Sequence, residues 1–117
     1  MNTPKEVAAL AAKALDSKKG VDIRLLGITD ISTLADYFLI CTATSNTHVR
    51  ALCDAIEDAM DAAGEELHSR EGHRSGTWVL LDYGCVVIHV FTEETRQFYD
   101  LERLWQDAVQ IDLAEVL

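Results

Sequence analysis

The run from Trp78 to Phe91, W-V-L-L-D-Y-G-C-V-V-I-H-V-F, limits what this chain can fold into more than any other stretch. Two apolar arms rich in β-branched and aromatic residues flank Asp82-Tyr83-Gly84, a turn signal, and this pattern predicts a β-hairpin. A strand with one wet face alternates apolar and polar residues, whereas these arms are apolar at nearly every position. Other elements must therefore cover most of both faces. Three groups in the run exceed what packing requires: the indole of Trp78, the carboxylate of Asp82 and the imidazole of His89. If Tyr83-Gly84 forms a two-residue turn, Trp78 and His89 stand opposite each other, with Asp82 at the end of the same face. Tyrosine tolerates positive φ poorly, so a longer or bulged loop would shift that pairing.

The other elements follow from periodicity. Thr3-Pro4-Lys5-Glu6 is a capping box with proline at the first helical position. Val7, Leu10, Ala11, Ala14 and Leu15 then share one helical face, and Gly20 is the expected stop. Val21, Ile23 and Leu25 alternate with Asp22 and Arg24 as in a half-exposed strand. Residues 29–36 are rich in groups that bond their own backbone in turns. Tyr37 to Ala43 is a compact apolar strand, expected at the centre of a sheet. Thr44-Ser45-Asn46-Thr47 supplies N-cap residues for a helix whose stripe runs Val49, Leu52, Cys53, Ile56, Met60 and ends at Gly64. Its other side carries Asp54, Asp58, Asp61 and Glu65. Glu66 to Arg70 suits an edge strand, and residues 71–76 form a polar loop with two glycines. Helical spacing returns over Glu93 to Ala108, with Phe98, Leu101, Leu104 and Trp105 on one face.

The order helix, strand, strand, helix, three strands, helix predicts an α/β fold with a mixed sheet of about five strands flanked by helices. One domain spans 1–117, with its core over about 4–108 and residues 109–117 as a tail or a dimer contact. A chain of 117 residues, 49% hydrophobic, buries enough surface to fold without staples. The apolar runs are strand-length, shorter than a membrane helix needs, and the N-terminus lacks an apolar block of signal-peptide length. A soluble, cytoplasmic protein is expected.

Charge and ligand chemistry narrow the function. Twenty acids against ten Lys and Arg give a formal net charge of −10. Such a balance disfavours wrapping a phosphate backbone and favours a basic protein surface as partner, with no sequence-specific nucleic acid. The odd count of cysteines, Cys41, Cys53 and Cys85, lacks paired spacing and predicts buried thiols. His48, His68, His73 and His89 fall on four different elements with no metal-ligand spacing. Ser45 has no G-x-S-x-G elbow around it. The Thr44-Asn46 junction before a helix would favour an anion, but a nucleotidyl transfer site also needs paired carboxylates for magnesium. The acid-x-acid pair, Asp100-Leu101-Glu102, sits in a predicted helix, where residues two apart diverge. Neither a catalytic role nor a cofactor or metal is expected. A nucleotide-binding or nucleotidyl-transferring enzyme using Thr44–Asn46 is the alternative.

The ordered series D-Y-F-L-I-C-T-A-T-S-N-T-H-V, an acidic helix, E-G, G-T-W-V-L-L-D-Y-G, V-V-I-H-V-F and F-Y-x-L-E-x-L-W resembles the ribosomal silencing factor S family, also called Iojap-like. The resemblance runs from about Val21 to Trp105. Two positions depart from it: Cys85 replaces the aspartate usual after the turn glycine, and Ala43 replaces the glycine usual before Thr-Ser. The resemblance implies a nucleotidyltransferase-like sheet without the catalytic acids. It further implies binding to ribosomal protein fourteen of the large ribosomal subunit, obstruction of an intersubunit bridge, and repression of translation when nutrients are short. Glu71, Trp78, Asp82, Tyr83, His89 and Tyr99 match family motif positions and are the implied contact residues. A homodimer is implied for the unbound protein. Trp78→Ala is then expected to weaken large-subunit binding while leaving the fold intact.

Overall fold

The structure, a computed structural model, describes residues 2–28, 35–72, 77–95 and 109–111. In chain order these are α1 (Pro4–Ser17), β1 (Val21–Gly27), β2 (Tyr37–Ala43), α2 (Asn46–Ala62), β3 (Ser69–Glu71), β4 (Trp78–Asp82), β5 (Val86–Thr92) and β6 (Val109–Ile111). The strands form one sheet in the order β3-β4-β5-β2-β1-β6. The β2–β5 pair is parallel and all other pairs are antiparallel, so the mixed α/β sheet expected from the sequence is present, with six strands. The extra strand is β6. Residues 109–111, read from the sequence as part of a tail or dimer contact, instead pair with Leu25–Gly27 of β1. The helix expected over 93–108 is helical at 93–95, and the remainder lies outside the described residues, as do residues 29–34 of the turn expected over 29–36.

Both helices lie on one face of the sheet and pack on each other. Thr3 caps α1 through its hydroxyl, and the Glu6 side chain bonds back to the Thr3 N–H, the reciprocal arrangement its sequence encodes. Val7, Ala8, Ala11, Ala12 and Leu15 are all at most 1% exposed, which lets α1 sit close to α2. Helix α1 ends differently from expectation. Lys19, not Gly20, adopts the left-handed conformation (φ 59°), and the Gly20 N–H closes the end on Leu15 O at 2.8 Å. Gly20 is needed for space, since a Cβ there would lie 2.6 Å from Cys41 Sγ. Helix α2 is capped by Ser45, buries Val49, Leu52, Cys53, Ile56 and Met60, and ends at Gly64 as its pattern indicates.

Alternation divides every central strand between two cores. On the helix side, Leu39, Cys41, Ala43, Val79, Leu81, Tyr83, Val86, Ile88 and Val90 join the apolar faces of α1 and α2. On the other side, Leu26, Ile28, Phe38, Ile40, Val87 and Phe91 form a second cluster, with Trp78 and Leu80 packed against it. This two-sided burial is what the unbroken apolar arms of the hairpin anticipate. Strand β1 departs from simple alternation: a bulge between Val21 and Arg24, with Asp22 at φ 48°, exposes its start while Leu25 and Leu26 are each buried on opposite sides.

The hairpin turns one residue later than a Tyr83-Gly84 loop would. Trp78 pairs with Phe91, Leu80 with His89 and Asp82 with Val87, and Tyr83 N–H donates to Val86 O at 3.0 Å. The loop is therefore Gly84-Cys85, with Gly84 at φ 85° in the first loop position, where a tight hairpin favours glycine. Tyrosine is spared the left-handed conformation. The partner of Trp78 moves by two residues, which preserves parity, so Trp78 and His89 stay on one face as diagonal neighbours. Cys85 O accepts from the N–H groups of Asp36 and Tyr37, tying the loop to the start of β2. Among the described residues, no helix is long and apolar enough to cross a membrane.

Candidate functional site: one face of the β3–β4–β5 edge

Pairing places Glu71 opposite Leu80 and Ser69 opposite Asp82, so these side chains share a face with Trp78, His89 and Phe91. This is the face away from α1 and α2. Exposure rises toward the sheet edge. Phe91 and Ile40 are fully buried and His89 is 5% exposed, whereas Trp78, Leu80 and Asp82 are half-buried and Glu71 is exposed. Four of the six residues implied by the family pattern, Glu71, Trp78, Asp82 and His89, thus converge on one face. Tyr83 points to the opposite face, buried among the helix-side core. Tyr99 lies outside the described residues.

An aromatic cluster supports the accessible residues. The Trp78 indole stacks on Phe91 (centroids 5.5 Å apart, planes 5° from parallel), and Phe38 meets His89 edge-on at 5.3 Å. Trp78 Nε1 donates to His89 Nδ1 at 3.2 Å, which places the imidazole proton on Nε2 in the neutral ring. Burial holds His89 neutral by lowering its pKa to about 4. It therefore serves as a fixed acceptor that orients the indole. Of these rings, Phe38 and Phe91 do not stand out in the sequence from ordinary core residues, because the register that brings them to Trp78 and His89 depends on the loop and on a parallel pairing.

Backbone geometry holds the two carboxylates in place. Asp82 Oδ1 accepts from Gly84 N–H at 2.7 Å, so one oxygen shapes the turn. Glu71 precedes Gly72, whose φ of 78° turns the chain out of β3. A Cβ on Gly72 would run into the Trp78 carbonyl oxygen, so the Glu71-Gly72 pair is a requirement for close approach of β3's end to β4. The site is a half-buried indole on a rigid aromatic base, with Glu71 diagonal to it on β3 and Asp82 further along β4 beyond Leu80. Such a surface can dock a basic protein through a central anchor and flanking charges.

Other sequence candidates behave as structural groups. At the Thr44-Asn46 junction, Ser45 Oγ accepts from His48 N–H, and His48 Nδ1 accepts from Thr44 N–H at 2.9 Å. His48 Nε2 in turn donates to Lys18 O at 2.8 Å. Two N–H groups that an anion would use are thereby bonded within the chain. Burial pushes the Cys53 thiol up to about 12 and raises that of Cys85, opposite to what a nucleophile needs. Among the described residues no three His, Cys, Asp or Glu side chains gather as a metal site.

Comparison with known proteins gives this face a context. Residues 1–117 match the model of the family described as "Ribosomal silencing factor during starvation". A ribosomal silencing factor from Bacillus subtilis is 43% identical over 109 residues, covering 93% of this chain and 92% of that protein. The chloroplastic protein Iojap of Zea mays is 36% identical over 91% of this chain and 46% of its own length. A crystal structure of a protein from Chromobacterium violaceum superposes with a TM-score of 0.88 at 37% identity, covering 90% of this chain and 88% of that one. Full-length sequence agreement and a shared sheet together establish that the chain belongs to the ribosomal silencing factor family.

Proposed function

We propose that this protein docks on ribosomal protein fourteen of the large ribosomal subunit and, by occupying that intersubunit surface, blocks joining of the small subunit. The observation that supports this most is the convergence of Trp78, Asp82 and Glu71 on one accessible sheet face over a rigid aromatic base. Translation falls because joined ribosomes cannot form. Occlusion requires no turnover. The formal charge of −10 steers the domain toward basic ribosomal protein surfaces and raises the encounter rate. We place this action in the cytoplasm, with a homodimer as the unbound form.

Trp78 has a structural duty beside its docking one. Its stack on Phe91 and its bond to His89 mean that Trp78→Ala removes core support, at a cost of roughly 3 kcal/mol. The direct test is sucrose-gradient co-sedimentation with purified large and small subunits. The protein is expected with the large subunit, together with loss of joined ribosomes. Absence of both would refute the proposal.

A further inference from the structure

The helix-covered side of the sheet carries a second feature. Where the C-terminal half of α2 meets the end of β4, an open cleft of about 300 Å³ is lined by Glu57, Asp58 and Asp61 of the helix. Glu65, Glu66 and Leu67, from the segment leading to β3, and Tyr83 complete it. Glu57 is paired with Arg70, and Glu65 accepts from Asn2 Nδ2 at 3.0 Å. Asp58, Asp61 and Glu66 have no ion-pair partner among the described residues.

Carboxylates alone would be a solvated patch, but Tyr83 is a separate observation. It is 5% exposed and borders the cleft, yet among the described residues its hydroxyl has no hydrogen-bond partner. Tyr83 lines the cleft together with Asp61 and Asp58. Its ring is packed in the core, and the hydroxyl is available to accept a bond from a donor that enters the cleft.

We propose that this cleft receives an arginine side chain of a protein partner, its guanidinium donating to the Tyr83 hydroxyl and to the Asp58 and Asp61 carboxylates. A metal ion would need three ligands gathered at short range, and no such group occurs among the described residues. The diverging donors of a planar guanidinium can instead span carboxylates spread along a helix and still reach a phenol oxygen, as a compact ammonium cannot. Leu67 provides an apolar wall for the methylene stem. Tyr83 and Trp78 lie on opposite sheet faces, so this subsite is distinct from the docking face and can be filled while that face is engaged.

The test is an NMR titration of the amide signals with the blocked peptide Ac-Gly-Arg-Gly-NH2, its citrulline and lysine counterparts, and magnesium chloride. The arginine peptide is expected to give saturable shifts confined to residues 57–67 and 83. Tyr83→Phe, which keeps the ring and hence the core, and Asp61→Asn should each weaken it roughly tenfold, as loss of a charge-assisted bond implies. Citrulline, of the same shape without charge, should give none. Equal binding of the lysine peptide, saturation by magnesium at the same residues, or wild-type affinity in Tyr83→Phe would overturn the proposal. So would unsaturable shifts spread over the outer acidic residues such as Asp54, or the same shifts on concentrating the protein without peptide, which would assign the cleft to a second copy.

Discussion

His89 sits between Phe38, Phe91, Ile40 and Leu80, and its Nδ1 accepts from the Trp78 indole N–H. Burial lowers its pKa from 6.5 to about 4, and no charged side chain contributes to that shift. The folded protein thus binds fewer protons than the unfolded chain between these values, so stability is full above about pH 6.5 and declines as pH falls through 4. Denaturant unfolding at pH 7 and pH 4 should show this as an acid-side loss of up to about 3 kcal/mol, much reduced in His89→Gln. The sequence marked His89 as a group beyond what packing requires and, through the family pattern, as a contact residue, whereas the structure buries it beneath Trp78. That arrangement was not legible, because a two-residue change of partner separates opposite from diagonal, and only the loop geometry decides between them.

At the scale of elements, glycine and its neighbours set two boundaries that composition alone does not. Gly72 allows the chain leaving β3 to pass against the Trp78 carbonyl, with φ at 78°. Gly72→Ala should open this edge, seen as loss of amide exchange protection at Glu71 and Leu80 while β2 and β5 stay protected. Lys19, by contrast, holds a left-handed conformation (φ 59°) that suits glycine better. Lys19→Gly should raise stability by about 0.5–1 kcal/mol in thermal or urea unfolding, since relief of that strain exceeds the added unfolded-state entropy. The sequence marked both helix starts well, because Thr3 and Ser45 are local caps whose geometry needs no distant partner. It missed β6, because three residues, Val109–Ile111, become a strand only through β1, more than eighty positions away. It likewise anticipated Glu66–Arg70 as the edge strand, where the observed Ser69–Glu71 is set by the Gly72 turn and by pairing with β4.

Across the whole molecule, the sheet separates two kinds of surface. One face presents the Trp78 indole with Glu71 and Asp82 along the same edge, and the other carries the acidic cleft beside α2. Its fold class followed directly from periodicity, since unbroken apolar arms demand cover on both sides of a sheet. The face proposed for docking followed in part. Glu71, Trp78, Asp82 and His89 could be singled out from residue type and motif, but the separation of Tyr83 from them depends on strand parity beyond the turn. Removing the two charges without altering shape tests the electrostatic half of docking. Glu71→Gln with Asp82→Asn keeps an acceptor for the Gly84 N–H and should leave the melting temperature within a few degrees. Large-subunit affinity should nevertheless fall roughly tenfold at low salt and less at high salt, measured by co-sedimentation across ionic strengths.

A protein that acts by occlusion without chemistry must act stoichiometrically. Light scattering can follow the joining of purified subunits as this protein is added to the large subunit without any nucleotide. Joining should fall in proportion to added protein and reach its floor near one copy per large subunit. Inhibition by a small fraction of an equivalent, a requirement for nucleotide, or undiminished joining at excess would contradict occlusion.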